Sequence, residues 1–223
     1  MKNLISISIF LVCLINCSCQ NRNNSINKNY QEHYIIPDSL YSFFPKESFG
    51  KNNFNLIFHS TNAKKNNLPY FKEEFAVTEL VTIYKCNDKL KFDSLKNIYM
   101  GEHICQFLSG ERNYFIIGSE RDMLNLYDSL LLKKKYQIID LKGFIINLHK
   151  ILKEEPIFYD STTTCGLRKQ YKILVLKSGD KYILPDKYKY EWSILPNKIK
   201  HGYRSGVAYK DSEPYLIYWV VAW

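Results

Sequence analysis

The 21 residues at 203–223, YRSGVAYKDSEPYLIYWVVAW, constrain the fold more than any other stretch. Two runs rich in β-branched and aromatic residues flank the turn-forming KDSEP, which reads as a β-hairpin. A half-exposed strand alternates apolar with polar side chains, but YLIYWVVAW is apolar at successive positions. Such a strand is apolar on both faces, so it belongs at the centre of a sheet or packed under helices. The rest of the chain must supply its neighbouring strands and that cover.

Several segments answer that need. FNLIFHS (54–60), FAVTELVTIYKC (75–86) and NYFIIG (113–118) read as strands, and YKILVL, the turn KSGD and KYILP (171–185) read as a second hairpin. Short helices are expected at Asp38–Phe44 and after Asp93. Ser119–Asp122 has the spacing of a capping box, followed by Met123, Leu124, Leu126, Tyr127, Leu130 and Leu131 at helical intervals, with Lys133–Lys135 at the favourable C-terminal end. Another helix is expected from Asp140, with a strand through GFIINL as its rival. The pattern predicts one α+β domain over 34–223, a mixed or antiparallel sheet with helices on one face and C-terminal β-hairpins.

The N-terminus has a different character. After Lys2, residues Leu4 to Ile15 are apolar except for Ser6 and Ser8, which is too short to cross a bilayer of about 30 Å hydrocarbon as a helix. A positive charge before a short apolar core is the layout of a secretory signal peptide. The run ends in Leu14-Ile15-Asn16-Cys17. This resembles the lipobox of bacterial lipoprotein precursors, with leucine three positions before the cysteine, although Asn16 departs from the usual small residue. The resemblance covers only about the first twenty residues. It implies cleavage after residue 16 and acylation of Cys17, with Cys19 as the alternative attachment site, and an envelope address on a membrane. Residues 17–33 are polar and Asn-rich and read as a tether.

Three further cysteines remain, Cys86, Cys105 and Cys165. In an oxidising compartment an odd number allows one bridge, and Cys86 with Cys105 is the candidate pair by separation; the alternative is that all three stay reduced and buried. Cys165 lies in DSTTTCGLRKQ, where Arg168 and Lys169 would favour a thiolate and His103, His149 or His201 would serve as base; this makes it the one weak candidate for a catalytic residue. The five histidines are dispersed without ligand spacing, so no metal is expected. IIGSERD has one glycine and no lysine, short of a phosphate-binding loop, and no cofactor is expected.

Charge is concentrated late in the chain. The overall formal charge is +9, and removal of residues 1–16 takes away only Lys2, leaving +8. Between Cys165 and Lys210 stand eleven Lys or Arg against Asp180, Asp186 and Glu191, so this stretch carries +8. Interleaved tyrosines and Trp192 would suggest nucleic acid in a cytosolic protein. An envelope address argues against it, so no nucleic acid is expected, and points to a protein partner or a polyanionic envelope component, with Lys187, Lys189, Lys198, Lys200 and Arg204 as binding candidates. The rival functions are a thiol-dependent enzyme or hydrolase centred on Cys165, or a structural accessory of an envelope assembly.

Overall fold

A computed structural model describes residues 40, 42–43, 53–61, 77–112, 114–117, 144–153, 155–183 and 200–223. All belong to one compact unit. Its centre is a six-stranded antiparallel sheet formed by β1 (Phe54–Thr61), β2 (Thr78–Cys86), β3 (Cys105–Leu108), β6 (Lys172–Gly179), β7 (Tyr203–Lys210) and β8 (Glu213–Ala222), in the order β1-β2-β8-β7-β6-β3. The 203–223 hairpin forms as its sequence predicts, turning at Asp211–Ser212. β8 is flanked by β2 and β7, and its residues from Leu216 onward are buried.

The alternation of β8 sorts the two covering layers. Ile217, Trp219, Val221 and Trp223 face a large cluster containing Ile117, Ile145, Leu152, Phe158, Leu167 and Tyr171. Leu216 and Tyr218 face the opposite way, against Phe92, Leu95 and Tyr99 of α1 (Lys89–Glu102). Each such side chain, fully buried, contributes roughly 1.5–3 kcal/mol over an exposed one. Val220 and Ala222 continue this second face, with Leu40 and Leu80 packed on them.

α1 begins at Asp88, whose carboxylate accepts from the backbone N–H groups of Leu90 (2.9 Å) and Lys91 (3.2 Å). This cap satisfies donors that the first helical turn leaves open. The helix therefore starts well before the expected Asp93. Beneath it the Tyr99 and Tyr218 hydroxyls lie 2.7 Å apart in a buried hydrogen bond.

The opposite face is covered by a parallel pair of short strands, β4 (Phe115–Ile117) and β5 (Phe144–Ile146), followed by one helical turn, α2 (His149–Leu152). The helix expected from Asp140 thus gives way, over 144–146, to its rival strand. The expectation of helices on one face also changes, because α1 and α2 lie in opposite layers. Among the described residues the predicted 171–185 hairpin does not turn at 177–180. β6 runs through the supposed turn to Gly179 and pairs with β7 and β3, because long-range partners outcompete the local turn. The expected helix over 119–135 lies outside the described residues.

Cys86 and Cys105 are not bridged, and Cys165 is also a free thiol. The topology explains the first result. β2 and β3 are separated by β8, β7 and β6, so four spacings of about 4.8 Å intervene. A disulfide tolerates a Cα separation of only about 7 Å. The two cysteines also pack in opposite layers.

Candidate functional site

The two ends of the sheet differ in how their charges are matched. At the β7–β8 turn, Asp211 holds Lys96 at 3.0 Å and Lys172 at 2.7 Å, while Asp93 holds Lys96 at 2.9 Å and Lys89 at 2.8 Å. Both lysines that meet Asp211 also lie over the ring of Tyr209. Their hydrogen bonds, Lys172 first and Lys96 second, hold the Asp211 carboxyl below the usual carboxylate range. Beside them Glu213 pairs with Lys210 (3.0 Å) and Arg168 (3.5 Å) and accepts from the Tyr171 hydroxyl (2.7 Å). Partial burial opposes the charge of Glu213, but the bonds from Tyr171 and Lys210 keep its carboxyl low. Sequence reasoning missed this network. Its only local signals are the i,i+4 and i,i+3 spacings of Lys89, Asp93 and Lys96.

The opposite end carries the described part of the basic region. Lys177 and Lys181 are exposed, and neither makes an ion pair among the described residues. Lys177 Nζ lies 5.6 Å from the ring centroid of Phe43, which itself packs 4.8 Å from the Tyr203 ring. Lys200 is half-buried, next to His201, whose ring meets Tyr182 edge-on at 5.4 Å. Arg204 must be taken off the list of surface binding residues. Its exposure is 0%, its guanidinium lies 5.7 Å from the Trp223 ring, and it donates to the Gly179 and Tyr203 carbonyl oxygens. β7 alternation is the cause, since Arg204 shares a face with Gly206 and Ala208, where small side chains leave room for it and for the tryptophans. Lys187, Lys189 and Lys198 lie outside the described residues, as do Cys17, Cys19 and the 17–33 tether.

Cys165 sits in a closed loop at 158–168. Tyr159 and Leu167 form an antiparallel bridge, and the Leu148 N–H donates to the Cys165 carbonyl (2.9 Å). Gly166 adopts φ +86°, and a Cβ there would lie 2.6 Å from the His149 backbone nitrogen, so only glycine fits both the left-handed conformation and the close approach. The Cys165 thiol has 0% exposure. Burial pushes it above the usual thiol range, with the neighbouring Tyr114 hydroxyl pulling weakly the other way. Activation requires the reverse shift and an accessible sulfur.

Of the three histidines proposed as bases, only His149 is close to this loop. Its Nε2 is 2.9 Å from the Thr163 carbonyl oxygen, and its ring stands edge-on to Tyr159. His103 binds the Met100 carbonyl oxygen instead, and His201 belongs to the basic end. Arg168, expected to favour a thiolate, donates to the Ile157 carbonyl oxygen and pairs with Glu213. Ser109, which sequence reasoning did not single out, ties this region together. Its hydroxyl donates to the Arg168 carbonyl oxygen (2.6 Å) and accepts from the Tyr171 N–H (3.2 Å), and its own carbonyl oxygen accepts from Tyr114 (2.8 Å). These groups bond to one another and form a scaffold. Among the described residues no cluster of three His, Cys, Asp or Glu is arranged to hold a metal.

The chain matches no protein-family model, no curated protein and no solved structure.

Proposed function

We propose that this chain is a bacterial envelope lipoprotein, anchored by acyl groups on Cys17 and acting by binding rather than by catalysis. The observation that carries the reading is the short apolar run after Lys2 that ends in Leu14-Ile15-Asn16-Cys17. Two acyl chains hold a protein stably on a bilayer where one does not. The residues between Cys17 and the folded unit serve as the tether, and the helix expected over 119–135 adds to the helical part of an α+β domain. The partner is a protein or an anionic component of the envelope, met through the basic end of the sheet. A thiol-dependent enzyme is the weaker reading, because the Cys165 thiol is buried and shifted upward, and the His149 ring beside its loop is bonded to the Thr163 carbonyl oxygen.

The test is the intact mass of the protein purified from membranes, beside a Cys17→Ala variant. A diacyl or triacyl increment on a chain beginning at Cys17, absent from the variant, is the expected result. A chain that retains Met1, or one processed without acylation, overturns the anchoring.

A further inference from the structure

Among the described residues the six-stranded sheet ends at β3, and the backbone of this edge strand can be followed group by group. The Ser109 N–H donates to the Tyr171 carbonyl oxygen (3.0 Å), while Phe107 and Cys105 stand opposite Ile173 and Val175 of β6. Alternation from Ser109 turns the N–H and C=O groups of Cys105 and Phe107 toward β6, and those of Gln106 and Leu108 outward. A trans peptide sets each C=O opposite to the N–H that follows it, so the Ile104 C=O points outward as well. The Ile104 N–H turns inward instead and donates to the Val175 carbonyl oxygen (2.8 Å), so two successive residues face Val175, as in a bulge. At the far end of β3, Glu111 engages Leu108 twice. Its carboxylate accepts from the Leu108 N–H (2.9 Å), and its own N–H donates to the Leu108 carbonyl oxygen (2.9 Å).

We infer that the Glu111 carboxylate is a latch that keeps β3 from pairing with the β3 of a second copy of the chain. The side chains of this edge suit such pairing, since Ile104 and Leu108 are each 38% exposed and Gln106 is exposed. In an antiparallel register centred on Gln106, Ile104 of each copy stands opposite Leu108 of the other, apolar against apolar. The two Gln106 residues then exchange both of their backbone bonds. The Leu108 N–H of each copy also faces the outward Ile104 C=O of the other. Those two outer bonds are the ones that the Glu111 carboxylate forecloses, because it already holds the Leu108 N–H. The latched edge therefore offers a second copy two hydrogen bonds, and the released edge offers four. Each such bond shifts an equilibrium about threefold to tenfold, so release strengthens self-association by on the order of tenfold or more. Open strand edges are templates for association, and charged side chains and bulges blunt them. β3 carries both, with Glu111 at one end and the doubled contact on Val175 at the other. The inference is independent of the anchoring reading.

The test is sedimentation velocity of the full chain under reducing conditions, with Glu111→Ala beside Glu111→Gln. The alanine variant frees the Leu108 N–H, whereas the glutamine variant removes the charge and keeps an acceptor. Glu111→Ala should self-associate at least about tenfold more tightly than wild type, and Glu111→Gln should stay within about threefold of wild type. Hydrogen exchange locates the contact. In Glu111→Ala the Gln106 amide should become protected as concentration rises. Adding Gln106→Pro removes the outward donor without touching a bond of the sheet, and should return Glu111→Ala to the wild-type association. Circular dichroism verifies the fold of each variant. Exchange in the wild-type monomer tests the latch without any substitution: the Leu108 amide should exchange at least about tenfold more slowly than the Gln106 amide. Equal exchange of these two amides overturns the inference. So does equal association of the alanine and glutamine variants, or association of Glu111→Ala that leaves Gln106 unprotected and survives Gln106→Pro.

Discussion

If Cys165 is an inert core residue, its alkylation must wait for the protein to open. With 0% exposure the sulfur cannot be reached in the folded state, and burial lowers its thiolate fraction further. Opening the 158–168 loop breaks the Tyr159–Leu167 bridge, the Leu148–Cys165 bond and the Thr163 hydroxyl bond to the Leu167 carbonyl oxygen (2.7 Å). It also exposes part of a core that includes Phe158 and Leu167. Even at the low end of domain stability, about 5 kcal/mol, complete opening is populated roughly once in several thousand. Iodoacetamide should therefore modify Cys165 at least about a thousandfold more slowly in the native protein than in guanidinium. Cys105, half-buried on the edge strand β3, should react far sooner than Cys165. Timed quenching followed by peptide mass spectrometry separates these sites from Cys13, Cys17 and Cys19. Native modification of Cys165 within tenfold of its unfolded rate would refute the reasoning, as would a pH profile that rises well below the usual thiol range. Either result would restore the thiol-enzyme reading.

Three other outcomes follow from the packing. Gly206→Ala should cost about 3 kcal/mol, or roughly 6–12 °C in Tm, because the added methyl collides with the Leu174 carbonyl oxygen and lies 2.5 Å from Trp219 Cζ2; a thermal melt within about 1 °C of wild type would show that β7 lies elsewhere. Tyr99→Phe and Tyr218→Phe should each cost about 1 kcal/mol, and a double-mutant cycle in urea should give a coupling of about 0.5–1.5 kcal/mol, since both remove the same 2.7 Å bond. Stability should fall at alkaline pH. Burial raises Cys86, Cys165, Tyr114, Tyr171 and Tyr209 in the folded state, so the unfolded chain loses these protons first. The loss begins near pH 8.5 with the thiols and steepens near pH 10 with the tyrosines, by up to about 1.4 kcal/mol per pH unit for each group. On the acid side His59, held low by burial, destabilises the fold as pH falls through about 6.5, where only the unfolded imidazole takes a proton. Urea titrations across pH check both limbs.

The parts legible in the sequence were those whose partners are close or whose pattern has one solution. β8 is apolar on both sides, so its central place follows from burial alone, and β7 is joined to it by a two-residue turn. The misreadings arose where distant segments compete. KSGD is an adequate turn locally, but continuing β6 to Gly179 lets it pair with Ser178↔Arg204 and Gly179↔Tyr203, which a hairpin would forgo. α1 was located late because only Phe92, Leu95 and Tyr99 face the sheet, while Leu90 is 82% exposed and blurs the periodicity.

The candidate site failed in a more instructive way. Counting charge over 165–210 treats each cation as surface, yet a strand sends alternate side chains to opposite faces. Once Val207 and Tyr209 are assigned to one layer, Arg204 must share the other with Gly206 and Ala208. Those small residues are the sequence signal for a large neighbour, here Trp219 against Gly206 and Trp223 beside Arg204. Arg204, two positions before Gly206 in this buried strand, thus belongs to the core. The surface charge that remains comes from the lysines that flank β6 and β7 beyond their last paired residues, together with Lys177, whose exposure follows from the bulge between Val175 and Lys177. That bulge breaks the register at the point where β6 passes from the buried centre of the sheet to its basic end.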